Sequence, residues 1–240
     1  MRHMRTVSLL GLALSLVPIG LVGYLLSRWG GSGLKVFEAS ARMLVQLLAV
    51  GYVLRFVLDN SDIRVGLAVM GVMVVAAGLI SVRTVDVNRR AAVILAIASI
   101  VVGGGAALAC ATMMSIGLGF QYDPRIVIPL AGMTFSNAMT AVTLVSERLQ
   151  RELETGVAFP EARNAAFQAG LIPQVNTFLA VGIVSLPGMM SGQILSGVDP
   201  LVAVRYQIVV MSLILQAAAF STAIFLVFGN RFGVFAPMQR

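Results

Sequence analysis

Long apolar runs, each near the length of a bilayer crossing, dominate the chain, and short polar clusters separate them. A spanning helix needs about 20 mostly apolar residues. Such runs cover Val7–Leu26, Leu34–Leu58, Val65–Val82, part of Ala91–Phe120, Ile126–Val145, Leu171–Leu195 and Ala203–Phe228. They predict an all-α, polytopic helical membrane protein with about seven transmembrane helices, forming a single domain over residues 1–240. The first run follows Arg2 and Arg5 as a signal peptide would. It is long for one, and "LVG" is a poor cleavage site, so a retained span is expected.

Composition supports this reading. The chain is 58% hydrophobic and 11% charged, with a mean hydropathy of +0.94, whereas soluble domains are typically about 25% charged. The net charge of +7 does not mark a nucleic-acid binder, because the basic residues punctuate apolar runs as membrane loops do. With the 146–170 segment in the cytoplasm, eleven basic residues fall inside: Arg28, Lys35, Arg42, Arg83, Arg89, Arg90, Arg148, Arg151, Arg163, Arg231 and Arg240. Four fall outside: Arg2, Arg5, Arg64 and Arg125. The excess predicts N-terminus out and C-terminus in.

Several chemistries are poorly provided for. A phosphate-binding loop needs Lys followed by Ser or Thr; the single lysine, Lys35, is followed by Val36. His3 is the one histidine and Cys110 the one cysteine, so neither a histidine cluster nor an intrachain disulfide can form. The Gly-rich "VVGGGAALA" follows no strand and reads as close helix packing.

Polar residues inside apolar runs are costly and therefore informative. On the second run Lys35, Glu38, Arg42 and Gln46 recur at helical spacing, and Arg55 precedes Asp59 by one turn. The fifth carries Ser136, Thr140, Thr143 and Glu147 with Asn137 beside them. These line a polar path, or they bond back to their own helix. The seventh carries Arg205, able to snorkel outward or to pair with Asp199, and then Gln207. The sixth contains "VGIVSLPGMMSGQIL", where Pro187 is expected to break the helix and free the carbonyl of Ile183. Ser185, Met189 and Gln193 stack there at four-residue steps. Met189 and Met190 read either as flexible filler or as soft thioether ligands for a metal.

The polar segment Ser146–Gly170 holds Phe159, Pro160, Glu161 and Phe167. Pro160 suits the first turn of a helix and Glu161 its positive end. A short exposed helix flanked by the two rings is expected, serving either to dock a partner or to lie on the membrane.

Three stretches carry a resemblance. "ARMLVQLLAVGYVL", "IPLAGMTFSNAMTAVTLVSERL" and "IPQVNTFLAVGIVSLPGMMSGQILSGVDPLVAVRYQIVVM" resemble the FetB-type permease family of ABC transporters, which includes iron exporters and plant aluminium-sensitivity membrane proteins. Ser191 stands where relatives often have Thr, and "GVAFPEA" lacks the hydroxyl usual in the family loop. The resemblance implies a non-enzymatic, multi-pass permease of the inner (plasma) membrane. It implies pairing with a second permease copy and with a cytoplasmic ATPase that carries ATP and magnesium, no cofactor being expected in this chain. The implied cargo is metal-related, with iron the usual assignment. On that reading Arg42, Gln46, Asn137, Thr140, Gln193, Arg205 and Gln207 line the path with Met189 and Met190, and Phe159–Phe167 couples to the ATPase. A secondary transporter and a non-metal ABC exporter, for example of a nucleotide sugar, are the competing readings.

Overall fold

The computed structural model describes residues 8–59, 62–84, 88–115 and 122–235. Helix α1 (Leu9–Arg28) and α2 (Gly33–Asp59) form one compact unit, and the remaining helices another. Arg2, Arg5, Arg240 and the end of the fourth expected span lie outside the described residues, as does the Asp59 side chain expected to pair with Arg55.

In the first unit a short turn reverses the chain. Gly30 takes φ +84°, which only glycine adopts readily, and Gly31 N–H donates to the Leu26 carbonyl at 2.8 Å. Gly33 lies directly on the Gly23 carbonyl, where a Cβ would collide with backbone. The outward faces of both helices are apolar, with Leu47 and Leu48 exposed among others. Lys35, Glu38, Arg42 and Gln46 are all exposed on α2.

The second unit holds α3 (Ile63–Ser81), α4 (Arg89–Ser99), α5 (Gly105–Cys110), α6 (Pro124–Glu154), α7 (Phe159–Ala180), α8 (Gly188–Leu195) and α9 (Pro200–Arg231). A π-helical turn at Ile100–Gly104 joins α4 and α5 into one helical rod, and a second at Ala111–Ser115 extends it. Aspartates start three helices by accepting first-turn N–H groups: Asp62 for α3, Asp123 for α6 and Asp199 for α9. In the last two, proline follows at the first helical position. These three loop aspartates thus act as helix caps. Asp199 is spent in this way, and Arg205 stands exposed without it. Among the described residues the ion pair is Arg148–Glu152, at 2.5 Å.

Helices α6 and α9 form the core pair, meeting through small residues such as Ala131, Ala138, Ala217 and Ala218, as close helix approach in a membrane requires. Leu130 shares a cluster with Val210 and Ile214, and Val145 and Leu149 share another with Leu226. The two helices therefore run parallel. The first π-turn lays Gly103 on the backbone of Phe220 and Ser221. Near the start of α6, Tyr122 places its hydroxyl against Gly66 of α3. Burial, then the Asp123 carboxylate, pushes the Tyr122 pKa up, so the phenol stays neutral.

Among the described residues, six helical stretches are long and apolar enough to cross a membrane: α1, α2, α3, the Arg89–Met113 rod, α6 and α9. The expected helix over Leu171–Leu195 is not among them, because it is divided between α7 and α8. Parallel α6 and α9 require the chain to return between them, and α7 with α8 makes that return.

Candidate site at the broken helix

The interruption lies earlier than the proline predicts. Helix α7 stops at Ala180, and Pro187 is the N-cap of α8 rather than a kink within one helix. Gly182 at φ +81° turns the chain. Its N–H donates to the Ser185 carbonyl at 2.9 Å, while the N–H groups of Ile183, Val184 and Ser185 all donate to the Ala180 carbonyl at 2.8–3.2 Å. The glycine and a knot of turn hydrogen bonds end α7, and the proline only starts the next helix. Ser185 therefore sits in the turn, off the face that carries Met189 and Gln193.

Beside the break is a cavity of about 330 Å³ lined by Phe178, Val181, Gly182, Pro187, Met190, Val204, Gln207, Ile208, Met211 and Ser212. It brings Met190 and Gln207 together. Met189, one position away and about 100° around α8, instead packs against the core formed by α6 and α9. Gln207 is 7% exposed, and its Oε1 has no hydrogen-bond partner. Gln193 on α8 likewise buries an unpartnered Oε1, as does Gln174 on α7. The cavity residues on α9 were legible as one face, since Val204, Gln207, Ile208 and Met211 recur at three- and four-residue steps.

The α6 stripe has spent its donors locally. Thr140 Oγ1 donates to the Ser136 carbonyl at 2.9 Å, Asn137 Nδ2 to the Met133 carbonyl at 2.8 Å, and Thr143 to Met139 at 2.9 Å. Neither Asn137 nor Thr140 lines the cavity. Arg42 and Gln46 belong to the α1–α2 unit. Among the described residues no group of three or more His, Cys, Asp or Glu side chains could hold a metal ion.

The polar segment also differs from expectation. Helix α6 runs to Glu154 and α7 begins at Phe159, so a four-residue turn replaces the loop and the separate short helix. Phe159 and Phe167 are half-buried against Val145, Leu149, Ala162, Ala166 and Leu226. What the hairpin exposes is its tip: Arg151, Glu154, Thr155, Pro160 and Glu161.

Comparison with known proteins agrees with the resemblance drawn from the three stretches. The profile of UPF0014, described as "Uncharacterised protein family", matches residues 7–158 and 154–232. A UPF0014 membrane protein of Synechocystis is 34% identical over 85% of this chain and 86% of its own length. The probable iron export permease FetB of Escherichia coli is 36% identical over 76% of this chain and 75% of its own. The ALUMINUM SENSITIVE 3 protein of Arabidopsis thaliana is 31% identical over 76% and 71%. No solved structure matches the chain. With an all-helical fold carrying six apolar helices of spanning length, and relatives covering most of its length, the chain belongs to the UPF0014 family of membrane proteins.

Proposed function

We propose that the chain is the transmembrane subunit of an ATP-driven exporter. It works as a pair of copies in the inner (plasma) membrane with a separate cytoplasmic ATPase, which binds ATP and magnesium. The observation that carries this reading is the continuity of α7. One helix of 22 residues links the exposed α6–α7 tip at Phe159 to the cavity at Val181. A push on the tip is transmitted along about 33 Å of continuous helix to the break, although Pro173 inside it removes one backbone hydrogen bond. A broken helix that lines a cavity is the kind of irregular backbone that membranes tolerate at a transport path. The name of the Escherichia coli relative supplies export and iron as the first cargo to test. Met190 and Gln207 are the cavity side chains that would meet it.

The test has two arms. The ATPase encoded beside the gene is co-expressed and should co-purify with the chain. Inverted vesicles containing both should then take up iron on addition of ATP, and Met190→Ala should slow that uptake. The absence of an associated ATPase sinks the reading, and unchanged uptake in Met190→Ala removes the thioether from the path. A non-metal cargo is the second reading, favoured by the predominantly apolar cavity wall.

A further inference from the structure

The cavity at the break is poorly built for a bare ion. Iron in either common oxidation state is served by oxygen or nitrogen donors in number, and the wall offers one amide, one hydroxyl and the thioethers of Met190 and Met211. Its volume, about 330 Å³, lies instead within the range of small organic-ligand sites. Two features give it a polar end. Gln207 is more than nine-tenths buried and lines the cavity with its Oε1 unpartnered. Pro187, also in the wall, is the N-cap of α8, whose first N–H groups receive no side-chain cap. Helix starts of this kind favour an acceptor.

We propose that this cavity binds an apolar organic molecule bearing a single uncharged hydroxyl, which donates to Gln207 Oε1 and accepts from the N–H groups at the start of α8. This deepens the second, non-metal reading of the cargo, on which it rests only in treating the cavity as part of the path. The apolar body fills the space between Phe178, Ile208 and Met211. The oxygen group satisfies an amide that otherwise bears the cost of burial without a partner.

The purified chain in liposomes is labelled with a diazirine-bearing octanol and the adducts are mapped by mass spectrometry. Adducts are expected on Phe178–Met190 and Val204–Ser212. Octan-1-ol should protect these about tenfold better than octane at equal concentration in the bilayer, as one buried hydrogen bond implies. Gln207→Leu should abolish the preference for alcohol over alkane while alkane protection persists. Met190→Trp, which fills the cavity, should suppress labelling altogether. Adducts spread evenly over exposed apolar positions such as Val72 and Leu79 of α3, or equal protection by octanol and octane in the native chain, overturn the proposal. Adding diacylglycerol, which carries one free hydroxyl on an apolar body, distinguishes two sources of the same chemistry. A lipid site is protected by it as well as by octanol, whereas a site for a free small molecule is protected by octanol alone. No ATPase is present in this experiment, so a failed ATPase partnership would not affect the outcome.

Discussion

At the residue scale, Gln207 places a function-like feature and a stability cost in the same side chain. An amide buried without a partner costs about 1–3 kcal/mol, and Gln207 Oε1 is such a group. Gln207→Leu should therefore raise the melting temperature of the purified protein while lowering transport. A fall in both would mean that the amide has a structural partner in the assembled transporter. Glycines make a second residue-scale contrast. A Cβ on Gly103 would lie 2.5 Å from the Ser221 backbone nitrogen, whereas one on Gly105 meets nothing within 4 Å. Gly103→Ala should destabilise by about 1–3 kcal/mol, the usual range for overpacking. Gly105→Ala should be neutral or stabilising by up to about 1 kcal/mol, since alanine restricts the unfolded chain and favours helix. Thermal unfolding in detergent, read for both variants side by side, tests the pair. Equal destabilisation would contradict the close crossing of the first π-turn over α9.

At the element scale, the apolar runs located nearly every helix, because a 20-residue apolar stretch has few alternatives in a membrane. What they could not locate was the end of α7. Proline is a visible helix breaker and drew the expectation to Pro187, but the turn is set by Gly182, whose positive φ leaves no mark on hydropathy. The polar segment misled for a related reason. Its charges suggested a loop, yet Arg148 and Glu152 sit one turn apart on α6 and pair. Ala162 and Ala166 meanwhile turn inward to pack against Val145 and Leu149. Ala162 is wholly buried, so a cross-link to an ATPase belongs at the exposed tip. The break itself yields a prediction. Pro187→Ala should leave the turn in place, and amides of residues 183–188 should exchange hydrogen as fast as in the native chain. Gly182→Ala, forced into a left-handed conformation, should cost about 1–2 kcal/mol and alter exchange across the same peptide. Slow exchange in Pro187→Ala would return the break to the proline.

At the scale of the whole molecule, the direction of α6 and α9 decides where the exposed turns lie. Parallel α6 and α9 place the α6–α7 turn and the α8–α9 turn at opposite ends of the second unit, whatever α7 and α8 do between them. No single apolar run of spanning length connects these turns. Ile183 and Val184 are 88% and 81% exposed at the break; their N–H groups are bonded to the Ala180 carbonyl, and it is the carbonyls of this non-helical turn that require cover from protein or water at that level. The arrangement predicts the sidedness of two exposed turns, each testable with one cysteine in a Cys110→Ser background. With the orientation proposed from the basic residues, Ser196→Cys should react with a membrane-impermeant maleimide in intact cells. Thr155→Cys should react only after the membrane is opened, and should be shielded when the ATPase is bound. Reaction of both cysteines from the same side would contradict the parallel packing of α6 and α9. Reaction of Thr155→Cys alone in intact cells would invert the orientation and place the proposed ATPase contact on the wrong face.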